Sequence, residues 1–138
     1  MAQFQQILRI PTQGKSLCTV TNHVQTVVSS SGIKTGLCHL FLRHTSASLL
    51  IQENADPDVL VDLNNFFAKL VPEWENYVHS TEGPDDMPAH IRTALTSTSE
   101  QIPIGRGQLL LGIWQGIYIW EHRERGSQRE LVVHVSGD

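Results

Sequence analysis

The chain has 138 residues, 40% hydrophobic and 17% charged. That balance excludes a disordered chain and fits a single domain over residues 1–138, within the usual range of roughly 100–200 residues. Ten Lys and Arg stand against 14 Asp and Glu, a net charge of −4, which argues against a nucleic-acid partner, since phosphate neutralisation needs a clustered basic surface. No apolar run approaches the ~20 residues of a membrane span, and the Met-Ala-Gln-Phe-Gln-Gln start lacks a signal peptide's basic and apolar regions. A cytoplasmic location with no membrane partner is expected. Cys18 and Cys38 sit in apolar surroundings without metal-like spacing and read as reduced, buried thiols.

Residues 3–10, with Phe4, Ile7, Leu8 and Ile10, predict a first strand, and 16–20 a second, short one. Thr21 can cap a helix over 21–30, with Val24, Val27 and Val28 on one face and Gly32 as its stop. Residues 37–42 are apolar on both parities, which predicts a central strand covered on both faces with His39 in the core. A further strand follows over 48–51. Asp56-Pro57 is a strong helix start, and Val59, Leu60, Leu63, Phe66, Phe67 and Leu70 make one apolar stripe before Pro72 ends the helix. A third helix is predicted over 87–97, its buried stripe made by Met87, Ile91, Ala94 and Leu95, with His90 half-buried at the stripe's edge. The last third reads as strands over 101–104, 108–112, 113–122 and 131–135, with turns at Gly105-Arg106-Gly107 and Gly126.

The chemistry concentrates between His79 and His90, where two imidazoles, Glu82, Asp85 and Asp86 share twelve residues with Gly83, Pro84 and Pro88. So many titratable groups need partners or water, so the stretch is a polar loop running into the third helix. Two uses fit. His79 and His90, with or without His44, plus a carboxylate from Glu82, Asp85 or Asp86, could ligate a divalent ion such as Zn or Mg. Alternatively, a carboxylate orients a histidine for acid–base catalysis. The plain structural alternative is a solvated loop with Asp86 capping the helix. His44-Thr45-Ser46 follows a strand, and its hydroxyls and turn amides suit an anion; otherwise it is a turn bonding its own backbone. Along 113–121, Gln115 and Glu121 share an otherwise apolar face and need partners or a ligand. Arg43, Arg92 and Arg129 could each pair with an anion, and the spacing selects none of them; Arg123, Arg125 and Arg129, interleaved with Glu121, Glu124 and Glu130, read as a mixed surface. The stretch from His79 to His90 itself offers no cation.

The segments His-Thr-Ser-Ala-Ser-Leu (44–49), Asn-Ala-Asp-Pro (54–57), Glu-Gly-Pro-Asp-Asp-Met-Pro-Ala-His-Ile (82–91) and Trp-Gln-Gly-Ile (114–117), with Glu-His-Arg (121–123), Gly126 and Arg129, resemble the bacterial YjbQ family along nearly the whole chain. The sequence departs from the family pattern at Gln52 and at Thr96-Ser97-Thr98. The resemblance implies an α+β domain with a mixed sheet and about three helices, a homotrimer, and a weak, secondary thiamine-phosphate synthase activity, a transferase reaction on small phosphorylated molecules. It carries over the cluster His44, His79, Glu82, Asp86, His90, Gln115 and Glu121. With the reading of the residues, this makes His44, Glu82, Asp86 and Glu121 the expected catalytic groups. Thr45, Ser46, Gln115 and Arg129 are expected to bind substrate, and His79 and His90 to hold a metal. A metal-dependent hydrolase and a non-catalytic small-molecule-binding trimer are the alternatives.

Overall fold

The computed structural model describes all residues, 1–138. In chain order its elements are β1 (Ala2–Pro11), β2 (Leu17–Thr19), α1 (Thr21–Ser31), β3 (Gly36–Leu42), β4 (Ala47–Glu53), α2 (Pro57–Leu70), α3 (Asp86–Leu95), β5 (Ser99–Gly105), β6 (Gln108–Leu109), β7 (Gln115–Glu121) and β8 (Gln128–Gly137). The expected α+β class with three helices is present. The single mixed sheet is corrected: there are two sheets, ordered β1-β8-β3-β5-β6 and β2-β7-β4, and every pairing within them is antiparallel. No strand in either sheet needs a parallel crossover.

One core joins the two sheets. Val24, Val27 and Val28 of α1 belong to the same buried cluster as Leu40, Ile102 and Val133 of the larger sheet and Leu49, Ile117 and Ile119 of the smaller one. The spacing of the three valines dictates this, since they fall on one side of a 3.6-residue period. Gly32 closes α1 in the left-handed conformation at φ 71°, as the sequence predicts. Thr21 does not cap the helix, however. Its Oγ1 instead accepts the Ile117 backbone N–H at 2.8 Å, which ties α1 to β7. Arg106 (φ 52°) and Gly107 (φ 76°) both take positive φ between β5 and β6, as a two-residue hairpin turn requires.

Three expectations of burial change. β3 alternates, with Cys38, Leu40 and Leu42 buried and His39 and Phe41 exposed, because the larger sheet is covered on one face only. His39 is therefore a surface residue, its ring 6.4 Å from that of His134 on the neighbouring strand. α2 starts as predicted, with Asp56 Oδ1 accepting from the Asp58 N–H at 3.0 Å. Yet its stripe is only half covered: no α2 residue is buried, and Phe66 and Leu70 are more than half exposed. α3 is turned from its apolar stripe. It buries Asp86, Pro88, Ala89, Arg92 and Thr93, while Leu95 is exposed. Polar partners contributed by distant segments set that orientation. The two thiols are free, with Cys38 buried and Cys18 half-buried. No helix is long and apolar enough to cross a membrane.

Candidate functional site

Asp86 opens α3, and its carboxylate is almost wholly buried. His90 lies one turn later on the same face, as i,i+4 spacing requires, and the loop before α3 brings His79 to the same point. Asp86 Oδ2 is 2.6 Å from His79 Nε2 and 3.1 Å from His90 Nε2. The two imidazoles meet edge to face, 5.4 Å between centroids. Glu82 Oε2 is 3.2 Å from His79 Nε2. One ligand atom from each of His79, Asp86 and His90 falls within 4.8 Å of the others.

Arg123, from the connection between β7 and β8, supplies the cation that the stretch itself lacks. Its Nη1 is 2.8 Å from Asp86 Oδ1 and its Nε donates to Asp85 Oδ2 at 2.9 Å. A third contact runs from Nη2 to the Glu82 carbonyl. Burial works to raise the Asp86 pKa, but the hydrogen bond from His79 and the charge of Arg123 outweigh it, and the carboxyl titrates below its ordinary value. Asp85 behaves alike: burial opposes, and the bonds from Arg123 and the Glu124 N–H prevail. Two carboxylates, Asp85 and Asp86, thus share one guanidinium, with the Glu82 carboxylate close by against His79.

The proton positions at His90 sharpen this. Its Nδ1 is 2.9 Å from the Thr45 carbonyl oxygen, which can only accept, so Nδ1 carries a hydrogen. In a neutral imidazole Nε2 then holds a lone pair, and that lone pair faces a carboxylate oxygen at 3.1 Å. Two acceptors at this separation require a positive species between them, either a further proton on the ring or a metal ion. A histidine whose other nitrogen donates to a backbone carbonyl is the usual arrangement of a metal ligand.

The remaining predicted residues mostly form a second, buried network beside the first. Glu121, at the end of β7, is wholly buried. It accepts from Thr12 Oγ1 at 2.6 Å, Arg129 Nε at 2.8 Å and the Arg123 N–H at 3.1 Å, and pairs with Arg129 Nη2 as well. Burial pushes its pKa up, but the bonds from Arg129 and Thr12 bring it below the ordinary carboxylate value. Arg129 Nη2 also donates to Ser46 Oγ at 3.0 Å. His44 Nε2 accepts the Glu130 N–H at 2.7 Å, and its Nδ1 lies 3.3 Å from Arg129 Nη1. Burial and then the Arg129 charge lower the His44 pKa and keep the ring neutral. This network fixes the 43–46 loop, and that loop carries the Thr45 carbonyl to His90. The sequence of contacts is Glu121, Arg129, Ser46, Thr45 and then His90. Gln115 stands apart: its side chain accepts from the Gly112 N–H at 2.8 Å and shapes its own turn.

Open space adjoins the cluster on two sides. A hollow of about 260 Å³ beside His79 is lined by Trp74, Tyr77 and Gly83. Another, of about 460 Å³, is lined by His44, Thr45, His90, Thr93, Thr96 and Thr98.

Sequence reasoning missed Arg123, His122 and Ser48. Arg123 was hidden in a run of mixed charge; its signal is position, directly after a buried strand that ends in Glu121. His122 is buried, with Nε2 2.8 Å from Ser48 Oγ. Burial, reinforced by the charge of Arg92, lowers its pKa to about 3. The folded state therefore binds this proton less readily than the unfolded chain, whose ordinary value is 6.5. Stability from this group is complete above pH 6.5 and is lost as pH falls towards 3. Urea midpoints measured across this window should fall with pH in the wild type and fall less steeply in His122→Gln.

A family model described as "UPF0047 protein YjbQ-like" matches residues 6–138. The chain belongs to the YjbQ family. A UPF0047 protein of Synechocystis is 66% identical over 99% of this chain and 93% of its own length. The YjbQ protein of Escherichia coli O157:H7 is 38% identical over 98% and 99%. Among solved structures, a YjbQ-family protein of Clostridium acetobutylicum, described as uncharacterized, superposes with a TM-score of 0.88 at 36% identity over 95% of this chain and 99% of that one. A conserved hypothetical protein of Thermus thermophilus does so at 0.85 and 31%, over 95% and 99%. These likenesses establish the family and the YjbQ fold; none of these relatives' names states a reaction.

Proposed function

We propose that this YjbQ chain is a cytoplasmic enzyme acting on a small molecule, and that His79, Asp86 and His90 hold a divalent cation at which it works. The observation that carries this is the geometry of His90, whose Nε2 faces the Asp86 carboxylate oxygen while Nδ1 is engaged by the Thr45 carbonyl. The excess of carboxylate over guanidinium around Arg123 supports the same reading. Two imidazoles and one carboxylate suit zinc better than magnesium, which prefers oxygen ligands. Glu82, exposed and close to His79, is then free to act as acid or base toward a molecule in the adjoining hollows.

A bound ion would polarise a phosphoryl or carbonyl oxygen, or activate a water. That fits a metal-dependent hydrolase. It also fits the weak thiamine-phosphate synthase activity implied by the family resemblance, in which a thiazole phosphate displaces pyrophosphate from a pyrimidine and the leaving group needs cationic support. Elemental analysis after zinc loading, with paired assays of phosphate-ester hydrolysis and thiamine-phosphate formation, tests the reading. One ion per chain, lost in His79→Ala and His90→Ala along with activity, is expected. A wild type that takes up no ion, or activity unchanged in both variants, overturns it and leaves the non-catalytic binding protein.

We also propose the homotrimer. Its support is the uncovered apolar surface: Val61, Phe66 and Leu70 on α2, with Trp74, Ile113 and Trp114 on loops, are each more than half exposed. Light scattering should give three times the chain mass of 15.4 kDa, and a monomer would refute it.

A further inference from the structure

α3 has a second working face. His90 and Arg92 are two residues apart, about 200° around a helix, so Arg92 leaves the helix on the side opposite the cation cluster. It is 94% buried by its 6% exposure, yet no carboxylate pairs with it. Its only protein acceptor is the Val71 carbonyl, 2.9 Å from Nη2, and Nε has no partner at all. Burial pushes its pKa down, and the more distant Glu73 and Tyr77 offset that only in part. An unpaired buried guanidinium is costly, by several kcal/mol in general, and a protein retains one where a ligand supplies the missing anion.

Arg92 lines a cavity of about 210 Å³ between α2, α3 and the end of β7, together with Lys15, Asn64, Phe67, Trp120 and His122. The charged and polar groups there are arranged for an acceptor. Asn64 Oδ1 takes the Trp120 Nε1 hydrogen at 2.8 Å, which directs its amide NH2 elsewhere. Lys15 brings a second cation, shared with Glu73. His122 is neutral and adds no opposing charge. The one carboxylate on the wall, Glu121, is saturated by Thr12, Arg123 and Arg129. Phe67 stacks edge-on against Trp120, 4.8 Å between centroids, and gives the cavity an apolar side.

We propose that this cavity is a binding site for a small oxyanion, the phosphate or carboxylate group of a small molecule, with Arg92 as its anchor. The volume admits such a group and a few attached atoms. The apolar side formed by Phe67 and Trp120 would receive those atoms. The site is separate from the His79–Asp86–His90 cluster and needs no metal.

Isothermal titration of the full chain in EDTA, at constant ionic strength, tests this with inorganic phosphate and with acetate as separate probes. Saturable binding of at least one probe near one per chain is expected, and which probe binds identifies the class. Arg92→Met should weaken it by at least tenfold, and Lys15→Ala should weaken it by a smaller factor should the first variant not fold. His79→Ala should bind the probe as the wild type does, which separates this site from the cation cluster. No saturable binding of either probe to the wild type, or equal binding by both cavity variants, overturns the proposal. So does loss of binding in His79→Ala alone.

Discussion

Arg129→Met should destabilise the protein by about 3–5 kcal/mol, the cost of leaving one member of a buried ion pair alone. Glu121 is fully buried and Arg129 nearly so. In the variant Glu121 keeps the Thr12 hydroxyl and the Arg123 N–H but loses both guanidinium bonds. The acid limb of the stability curve should change too. In the wild type the folded Glu121 pKa lies below its ordinary 4.5. Its contribution is therefore complete above pH 4.5 and lost as pH falls through the lower, folded value. Without Arg129 that pKa rises toward the ordinary value, so this acid-dependent loss should shrink and the stability curve flatten below pH 4.5. Urea unfolding at pH 7 and across pH 3–6 measures both effects. An unchanged midpoint at pH 7 would mean that the pair is not buried in solution. The same variant frees Ser46 from its guanidinium bond and so loosens the loop that delivers the Thr45 carbonyl to His90.

Asp86→Asn should abolish the cation cluster while leaving the fold in place. Asparagine keeps an acceptor for Arg123, which retains its bond to Asp85, but it withdraws the charge shared by the two imidazoles. Replacement of outer-shell partners alone costs about 10–100-fold in metal affinity; loss of the shared carboxylate should cost about 100-fold or more. Zinc titration followed by calorimetry, with far-UV circular dichroism as the check on folding, reads this. Equal affinity in the variant would move the ion elsewhere.

Local rules carried most of the elements. Asp56-Pro57 marks the start of α2 because an acceptor and a fixed φ act within three residues. The valines of α1 and the Gly32 stop are equally local. What failed was orientation wherever a distant group decides it. Periodicity assigns α3 an apolar buried face through Ile91 and Leu95, but Asp86 is drawn inward by Arg123, 37 residues away, and Arg92 by the Val71 carbonyl. His39 follows the same logic: a run apolar on both parities says nothing about whether a second layer covers the sheet.

The site was legible in part for the same reason. His79, Asp86 and His90 were visible as a density of titratable groups, and the i,i+4 relation of Asp86 to His90 follows from α3 alone. Glu121 and Arg129 were visible as polar residues in need of partners, but not as partners of each other, which takes the approach of two strands from different sheets, β7 and β8, to arrange. Their place in the molecule is beneath the cluster, holding the 43–46 loop, and Gln115 belongs to a turn of its own. Arg123 was concealed by the glutamates around it in sequence, none of which is its main partner in space.

The account turns on whether His79, Asp86 and His90 ligate one ion together. X-ray absorption at the zinc edge of the loaded protein measures that most directly. Two imidazole nitrogens at ~2.0–2.1 Å, a carboxylate oxygen in the same range and no sulfur are predicted. A spectrum with sulfur in the first shell, or with oxygen only and no imidazole scattering, would contradict it.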